Sequence, residues 1–174
     1  MEQLSMLWEN DGTEAVMPDI PQGLEMHKIT DFENGVEMWL DVVQYGLSEQ
    51  REDENYYNCV MVGHENYDAS YCYLLTDNGV PVATTTVIFY PVRKHGYVHM
   101  VACRDDYRGR GIGTFLARLA VYQLKKNGME TADLDTDDWR VPAIKTYLRA
   151  GFSPLIASDE MSARWDSIFE KIKN

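Results

Sequence analysis

Cysteine is scarce in this sequence: the 174 residues contain only three, Cys59, Cys72 and Cys103. An odd number of widely spaced cysteines in apolar surroundings argues against a disulfide framework and favours reduced, buried thiols. A chain of this length, 45% hydrophobic, buries roughly 70% of its unfolded surface and needs neither disulfides nor a structural metal. We therefore expect one domain over residues 1–174 and a cytoplasmic location.

Long apolar runs are also missing. No stretch approaches the roughly 18 apolar residues of a membrane span. The chain opens Met1-Glu2-Gln3-Leu4-Ser5, which is acidic where a secretory signal would be basic. We expect no membrane association.

Positive charge is rare in the first half of the chain. Residues 1–79 hold 17 acidic side chains and only Lys28 and Arg51 as bases, whereas residues 80–174 hold 14 bases and 11 acids. The net charge of −12 disfavours nucleic acid and anionic membranes as partners. The second half is therefore the part of the chain suited to an anionic ligand, and the acidic first half repels anions.

Apolar spacing and turn residues predict a mixed, mostly antiparallel twisted sheet flanked by helices, with one parallel strand-helix-strand crossover. This is an α/β fold of the α+β type. Asn78-Gly79 predicts a hairpin, Thr30 or Asp31 the start of the first helix, and Asp137 or Asp138 the cap of a later one. The predicted elements are an irregular arm at 1–22, which could add an edge strand, strands at 24–29, 71–75, 80–90, 97–103 and 131–136, and helices at 32–46, 52–62, 112–126, 141–150 and 158–174.

Three glycines follow a predicted strand and open a predicted helix. Glycine lets the backbone bend tightly and approach a ligand closely, and a helix N-terminus offers unpaired N–H donors to an anion. A glycine turn without a ligand remains the alternative. Thr114 replaces the third glycine of a dinucleotide fingerprint, and no P-loop occurs. The residues concerned are Gly109, Gly111 and Gly113, with Arg104, Arg108, Arg110, Lys125 and Lys126 as sources of positive charge.

Two motifs in order carry a family resemblance. Arg108-Gly109-Arg110-Gly111-Ile112-Gly113 matches an Arg/Gln-x-x-Gly-x-Gly loop, and residues 143–152 match Ala-x-x-x-Tyr-x-x-x-Gly-Phe. On these residues the chain, over about 70–157, resembles the GNAT superfamily of N-acetyltransferases. The resemblance implies a single-domain GNAT-like fold that moves an acetyl group from acetyl-CoA directly to a primary amine, without an acyl-enzyme.

The resemblance also implies where acetyl-CoA lies. It would enter a V-shaped opening between the strand ending at Cys103 and the strand holding Asp135. Arg140 stands where relatives commonly carry asparagine, and unlike asparagine it only donates hydrogen bonds. The implied cofactor contacts are the backbone of Val101, Ala102 and Cys103, the loop residues Arg108, Gly109, Arg110, Gly111, Ile112, Gly113 and Thr114, and Arg140.

Tyr147 occupies the family's tyrosine position and is the predicted general acid toward the CoA sulfur, since a phenol keeps its proton at neutral pH. Asp135 is the predicted base, with a cap or salt-bridge role as its alternative. The predicted acceptor wall comprises Thr84, Thr86 and Phe89, and the acidic run at 49–54 either lines the acceptor mouth or is a solvated surface. Four histidines, His27, His64, His95 and His99, do not gather in the sequence into zinc-site spacing, so no metal is predicted.

The expected acceptor is the amine of a small molecule or peptide, with a cationic one favoured by the charge distribution. We expect a monomer or a homodimer. Two alternatives remain: a catalytically silent CoA-binding sensor of the same fold, and a dinucleotide-dependent oxidoreductase.

Overall fold

A seven-stranded sheet organises residues 2–48 and 50–173, which are the residues described by this computed structural model. Glu49, part of the predicted acidic run, lies outside the described residues. Every neighbouring pair is antiparallel except β5 with β6, which confirms the mixed sheet with one parallel crossover. The strands are β1 (Leu4–Glu9), β2 (Glu25–Lys28), β3 (Cys72–Asp77), β4 (Val80–Tyr90), β5 (His95–Cys103), β6 (Thr131–Thr136) and β7 (Phe152–Pro154), in the order β2-β3-β4-β5-β6-β1-β7.

Helices cover both faces of this sheet. The helices are α1 (Gly35–Val43), α2 (Glu54–Tyr57) with a π-turn at Asn58–Val62, α3 (Ile112–Lys126), α4 (Val141–Arg149) and α5 (Asp159–Lys173), with 3-10 turns at Ile29–Asp31, Ala69–Tyr71, Pro91–Arg93 and Asp105–Tyr107. Helices α3, α4 and α5 pack in one core, and α1 and α2 in another. Within the described ranges, no helix combines the length and the apolar character that crossing a bilayer requires.

The predicted hairpin is present between β3 and β4. Asn78 and Gly79 both adopt positive φ, +49° and +80°, as a tight two-residue turn requires. Asp77 pairs with Val80 directly across it.

The N-terminal segment departs from its prediction. It contains an interior strand, since β1 lies between β6 and β7 and pairs antiparallel with both. Leu4, Met6 and Trp8 are buried, as the period of a strand with one covered face requires. Leu7 adds an apolar residue to the other face, which obscures this alternation in the sequence.

The first helix begins later than predicted. Residues 29–31 form a 3-10 turn in which the Asp31 carboxylate accepts a hydrogen bond from the Lys28 N–H at 2.8 Å. That bond commits Asp31 to the turn, and the α-helix begins only at Gly35.

The cap predicted for α4 is also wrong. Arg140 is the N-terminal flanking residue of α4, whereas the Asp138 carboxylate accepts hydrogen bonds from Arg164 on α5, one of them from Nε at 3.1 Å. This ion pair ties the last helix to the turn after β6 and leaves the start of α4 without a side-chain cap.

The two parallel strands separate towards their C-terminal ends. Their last paired residues are Tyr97 and Asp133. Beyond this point β5 carries a bulge in which Met100 and Val101 together oppose Thr85 of β4, and Met100 has a φ of +53°. A bulge bends its strand and increases the local twist. The loss of pairing beyond Tyr97 and Asp133 is consistent with the V-shaped opening expected between β5 and β6.

Candidate active site

The glycine loop presents free backbone donors at the start of α3. Gly109 and Gly111 both have a φ of +79°, and a Cβ placed on either would meet no other atom within 4 Å. The first hydrogen bond of the helix runs from the Phe115 N–H to the Gly111 carbonyl at 3.0 Å. The N–H groups without a helical partner are therefore those of Ile112, Gly113 and Thr114. This open cradle fits a diphosphate, because helix N-terminal amides and their partial positive charge attract anions.

The arginines around this loop are partly offset by aspartates. Arg104 bonds Asp106 at 2.9 and 3.1 Å, and Arg108 bonds Asp105 at 2.7 Å. Arg110 donates instead to the Asp106 main-chain carbonyl at 3.3 Å. An anion here would depend on the backbone amides as much as on the guanidinium groups.

The two lysines predicted to add charge to the loop lie elsewhere. The helix α3 has 15 residues, so its C-terminal lysines lie about 20 Å from Ile112. Lys125 Nζ bonds Asp11 at 2.5 Å and the Thr13 hydroxyl at 2.6 Å. Lys125 therefore holds the segment that follows β1 onto α3.

Val101–Cys103 form the β5 side of the V-shaped opening. Arg140 reaches this strand from the start of α4, where its Nη2 donates to the Val101 carbonyl at 3.3 Å. Burial raises the pKa of the Cys103 thiol to about 11, and its Sγ bonds the Arg104 carbonyl at 3.5 Å. A thiol with this pKa is a poor nucleophile, which agrees with direct transfer.

Tyr147 lies on α4 and packs in the core beside Phe152. Its side chain is 4% exposed, and its hydroxyl makes no hydrogen bond to the described part of the chain. Burial raises the pKa of Tyr147, and the positive charge of Arg140 opposes that shift. Because Arg140 also bonds Val101, the phenol and the end of β5 lie near the same guanidinium. The phenol keeps its proton at neutral pH.

Asp135 is an exposed carboxylate at the end of β6, with two hydroxyl partners. Its Oδ1 accepts a hydrogen bond from Ser5 Oγ at 2.6 Å, and its Oδ2 accepts one from the Tyr97 hydroxyl at 3.2 Å. Asp133, on the same face, bonds His95 at 2.7 Å. The N-terminal strand, in which no function was predicted, thus contributes to the site through Ser5.

Two histidines gather beside Asp135, contrary to the expectation from their spacing in the sequence. The His64 ring stacks on Tyr97 at 5.5 Å between centroids and lies 5.3 Å from the His99 ring. His99 in turn lies 5.3 Å from the Tyr97 ring. In residues 2–48 and 50–173, no three histidines, cysteines or acids are grouped so as to hold a metal ion.

Part of this cluster could have been found from the sequence. Tyr97 and His99 occupy alternate positions of β5, as Asp133 and Asp135 do in β6, and alternate residues of a strand share one face. Long-range folding alone brings in Ser5 and His64. We name the group Ser5, His64, Tyr97, His99 and Asp135 the polar cluster.

The predicted acceptor wall is wrong in part. Thr84 and Thr86 have no exposed surface, and the Thr84 hydroxyl donates to the Tyr73 carbonyl at 2.8 Å inside the protein. Phe89 packs against the core that contains residues of α3, α4 and α5, and its ring lies 4.7 Å from that of Tyr71. Thr86 and Phe89 are three residues apart in one strand and therefore lie on opposite faces of the sheet. The three predicted side chains cannot form one wall.

Known proteins share both sequence and fold with this chain. Residues 35–152 match the model of the acetyltransferase (GNAT) family. Mycothiol acetyltransferase of Corynebacterium jeikeium is 39% identical over 57 residues, which cover 33% of this chain and 16% of that protein. The chain spans less than a quarter of the length of the curated relatives it matches.

Solved structures share the architecture. A GCN5-related N-acetyltransferase from Sphaerobacter thermophilus superposes with a TM-score of 0.71 at 19% identity, covering 88% of this chain and 48% of that one. A structure described as the NatC complex bound to Gag peptide and CoA gives 0.64 at 19% identity, covering 78% and 87%. These matches confirm the fold. The match of residues 35–152 to the family model supports the acyltransferase class. With two thirds of its length matched by the family model, this chain belongs to the GNAT family of acetyltransferases.

Proposed function

We propose that this protein transfers the acetyl group of acetyl-CoA directly to a primary amine of a small molecule or peptide. The observation that carries the proposal is the glycine cradle, with three unpaired helix amides at the start of α3 and with Arg140 bonded to the Val101 carbonyl of β5. Family membership and a structural relative described with bound CoA support it.

Two groups of residues in this chain would bind two different parts of the cofactor. The amides of Ile112, Gly113 and Thr114 would hold the diphosphate, and the main chain of Val101–Cys103 would pair with the pantetheine arm. Arg140 adds a fixed positive charge next to that arm, since its guanidinium already lies 3.3 Å from the Val101 carbonyl. When bound, acetyl-CoA supplies the activated thioester.

Tyr147 would act as the general acid. Attack of the amine forms a carbon–nitrogen bond and breaks the carbon–sulfur bond, and the departing sulfur needs a proton. Burial keeps the Tyr147 hydroxyl protonated, and that hydroxyl is free to donate because no described protein group engages it. General acid catalysis of this kind contributes about 100-fold to 10,000-fold in rate.

Asp135 would attract the acceptor. It is an exposed carboxylate at the mouth of the opening, and its neighbour Asp133 adds further negative charge. A primary amine reaches the protein largely as an ammonium ion, so the acids favour its approach. The mycothiol enzyme and the peptide-bound NatC complex represent a small-molecule and a peptide relative. We also propose a reducing, cytoplasmic setting, which the three free thiols support.

The test is release of free thiol from acetyl-CoA in the presence of a mixed amine library, with mass spectrometry to identify the amine that gains an acetyl group. Tyr147→Phe should lower kcat about 100-fold or more while leaving the Kd for CoA nearly unchanged. Tyr122→Phe, on a half-buried tyrosine of α3, is the matched control and should behave as wild type.

Two results would count against these assignments. Normal turnover by Tyr147→Phe would remove Tyr147 from the acid role. Tight CoA binding without thiol release for any amine would favour the silent sensor instead.

A further inference from the structure

His99 lies on β5, on the same face of the sheet as Tyr97. It is the last residue of β5 before the bulge at Met100 and Val101, and it pairs with Thr86 of β4. Its neighbours on the sheet face are Tyr97, whose hydroxyl bonds Asp135, and His64. The ring is only partly buried, so a ligand in the opening can reach it.

Hydrogen bonding fixes the tautomer of this ring. His99 Nε2 lies 2.9 Å from the Val60 carbonyl oxygen. A carbonyl only accepts hydrogen bonds, so Nε2 must carry the proton in the neutral ring. The other nitrogen, Nδ1, then holds a free lone pair, and no described protein group bonds it.

Asp135 differs from His99 in its hydrogen bonding. Both of its oxygens already accept hydrogen bonds, from Ser5 at 2.6 Å and from Tyr97 at 3.2 Å. Asp135 is therefore already engaged by two hydroxyl groups, whereas His99 Nδ1 has no described partner.

We propose that His99 Nδ1, rather than Asp135, takes the proton from the acceptor amine. This inference rests on the proposed acetyl transfer. The ammonium ion gives one proton to Nδ1, and the neutral amine attacks the thioester. His99 then releases that proton to water, while Tyr147 supplies the proton for the thiol and recovers one from the attacking nitrogen through solvent. Each turnover thus yields one amide, one thiol and one released proton.

The surroundings of His99 favour its neutral form before reaction. Burial lowers the pKa of His99, the Val60 carbonyl opposes that shift, and the neighbouring His64 lowers the pKa further. Asp135 acts in the opposite direction and stabilises the imidazolium once it forms. The other titratable groups on the elements packed here are Tyr97, Cys59 beside Val60, Asp133 bonded to His95, and Glu37 and Asp41 bonded to Arg51.

The experiment is the pH profile of kcat at saturating acetyl-CoA and amine. In the wild type, kcat should fall as the pH drops through the His99 pKa, below the ordinary value of about 6.5. His99→Gln keeps a side-chain N–H for the Val60 carbonyl but has no basic nitrogen. It should lose this inflection and lower kcat about 100-fold. His27→Gln, at the edge strand β2, should retain the wild-type profile.

A second measurement does not depend on activity or on a variant. Nitrogen NMR of the free protein should show the His99 ring as the Nε2–H tautomer at neutral pH. The proposal is overturned by the opposite tautomer, or by an acid limb that survives in His99→Gln and disappears in Asp135→Asn. Absence of thiol release by the wild type would instead overturn the proposed function, which keeps the two failures distinct.

Discussion

Truncation of Trp8 tests whether the N-terminal strand is an integral part of the fold. The Trp8 side chain is 3% exposed, and its backbone position pairs with Ala132 of β6 on one side and Phe152 of β7 on the other. Its ring also faces Gly151, where a Cβ would lie 3.6 Å from Trp8 Cδ1. Gly151 has no side chain that could move into the space left by the Trp8 ring.

The expected loss for Trp8→Ala is about 3–5 kcal/mol of unfolding free energy, the usual range for a buried tryptophan. At about 2–4 °C per kcal/mol for a domain of this size, the Tm should fall by roughly 6–20 °C. Urea unfolding followed by far-ultraviolet circular dichroism measures the free energy, and a thermal scan measures the Tm.

Trp139 provides the matched control, because its side chain is 66% exposed. Trp139→Ala should change the free energy of unfolding by less than about 1 kcal/mol. Equal effects of the two substitutions, or a loss below about 1 kcal/mol for Trp8→Ala, would refute the interior position of β1.

Two further predictions concern the glycine loop and the last helix. Gly111→Val should raise the Kd for CoA, measured by calorimetry, at least tenfold, because a branched side chain at φ +79° strains the loop and enters the cradle. The control Gly12→Val, at φ +74° in open space, should leave this Kd unchanged. An unchanged Kd for Gly111→Val would remove the diphosphate assignment. Hydrogen bonds from Arg164 lower the pKa of Asp138, so their contribution to stability is complete above the unfolded pKa of about 3.9 and is lost as pH falls through the folded value. Arg164→Met should therefore lower the free energy of unfolding at pH 7 and have almost no effect well below pH 3, whereas an equal effect at both pH values would attribute the change to packing.

Local signals predicted most of the fold. The Asn78-Gly79 turn requires positive φ at both residues, and the period of three and four after Ile112 suits one helix, so each element is specified by neighbouring residues. The glycine loop and Tyr147 were recognisable for the same reason, because their spacing within a short segment carries the resemblance.

Long-range pairing was not predictable in this way. The position of β1 depends on partners more than 120 residues away, such as Ser5 with Asp135, where the sequence separation is 130. The predicted helix starts were wrong because the Asp31 carboxylate accepts a hydrogen bond from the Lys28 N–H and the Asp138 carboxylate accepts one from Arg164. The predicted acceptor wall was wrong because the spacing of residues along a strand does not show which face of that strand a helix covers.

The interior position of β1 has a consequence for biosynthesis. Its residues leave the ribosome well before those of both neighbours, at 131–136 and 152–154. Late docking of an early segment is slow, since distant ends must meet before any pairing stabilises them. Until then Leu4, Met6 and Trp8 stay uncovered on the nascent polypeptide, where they offer a binding segment for chaperones and a starting point for aggregation.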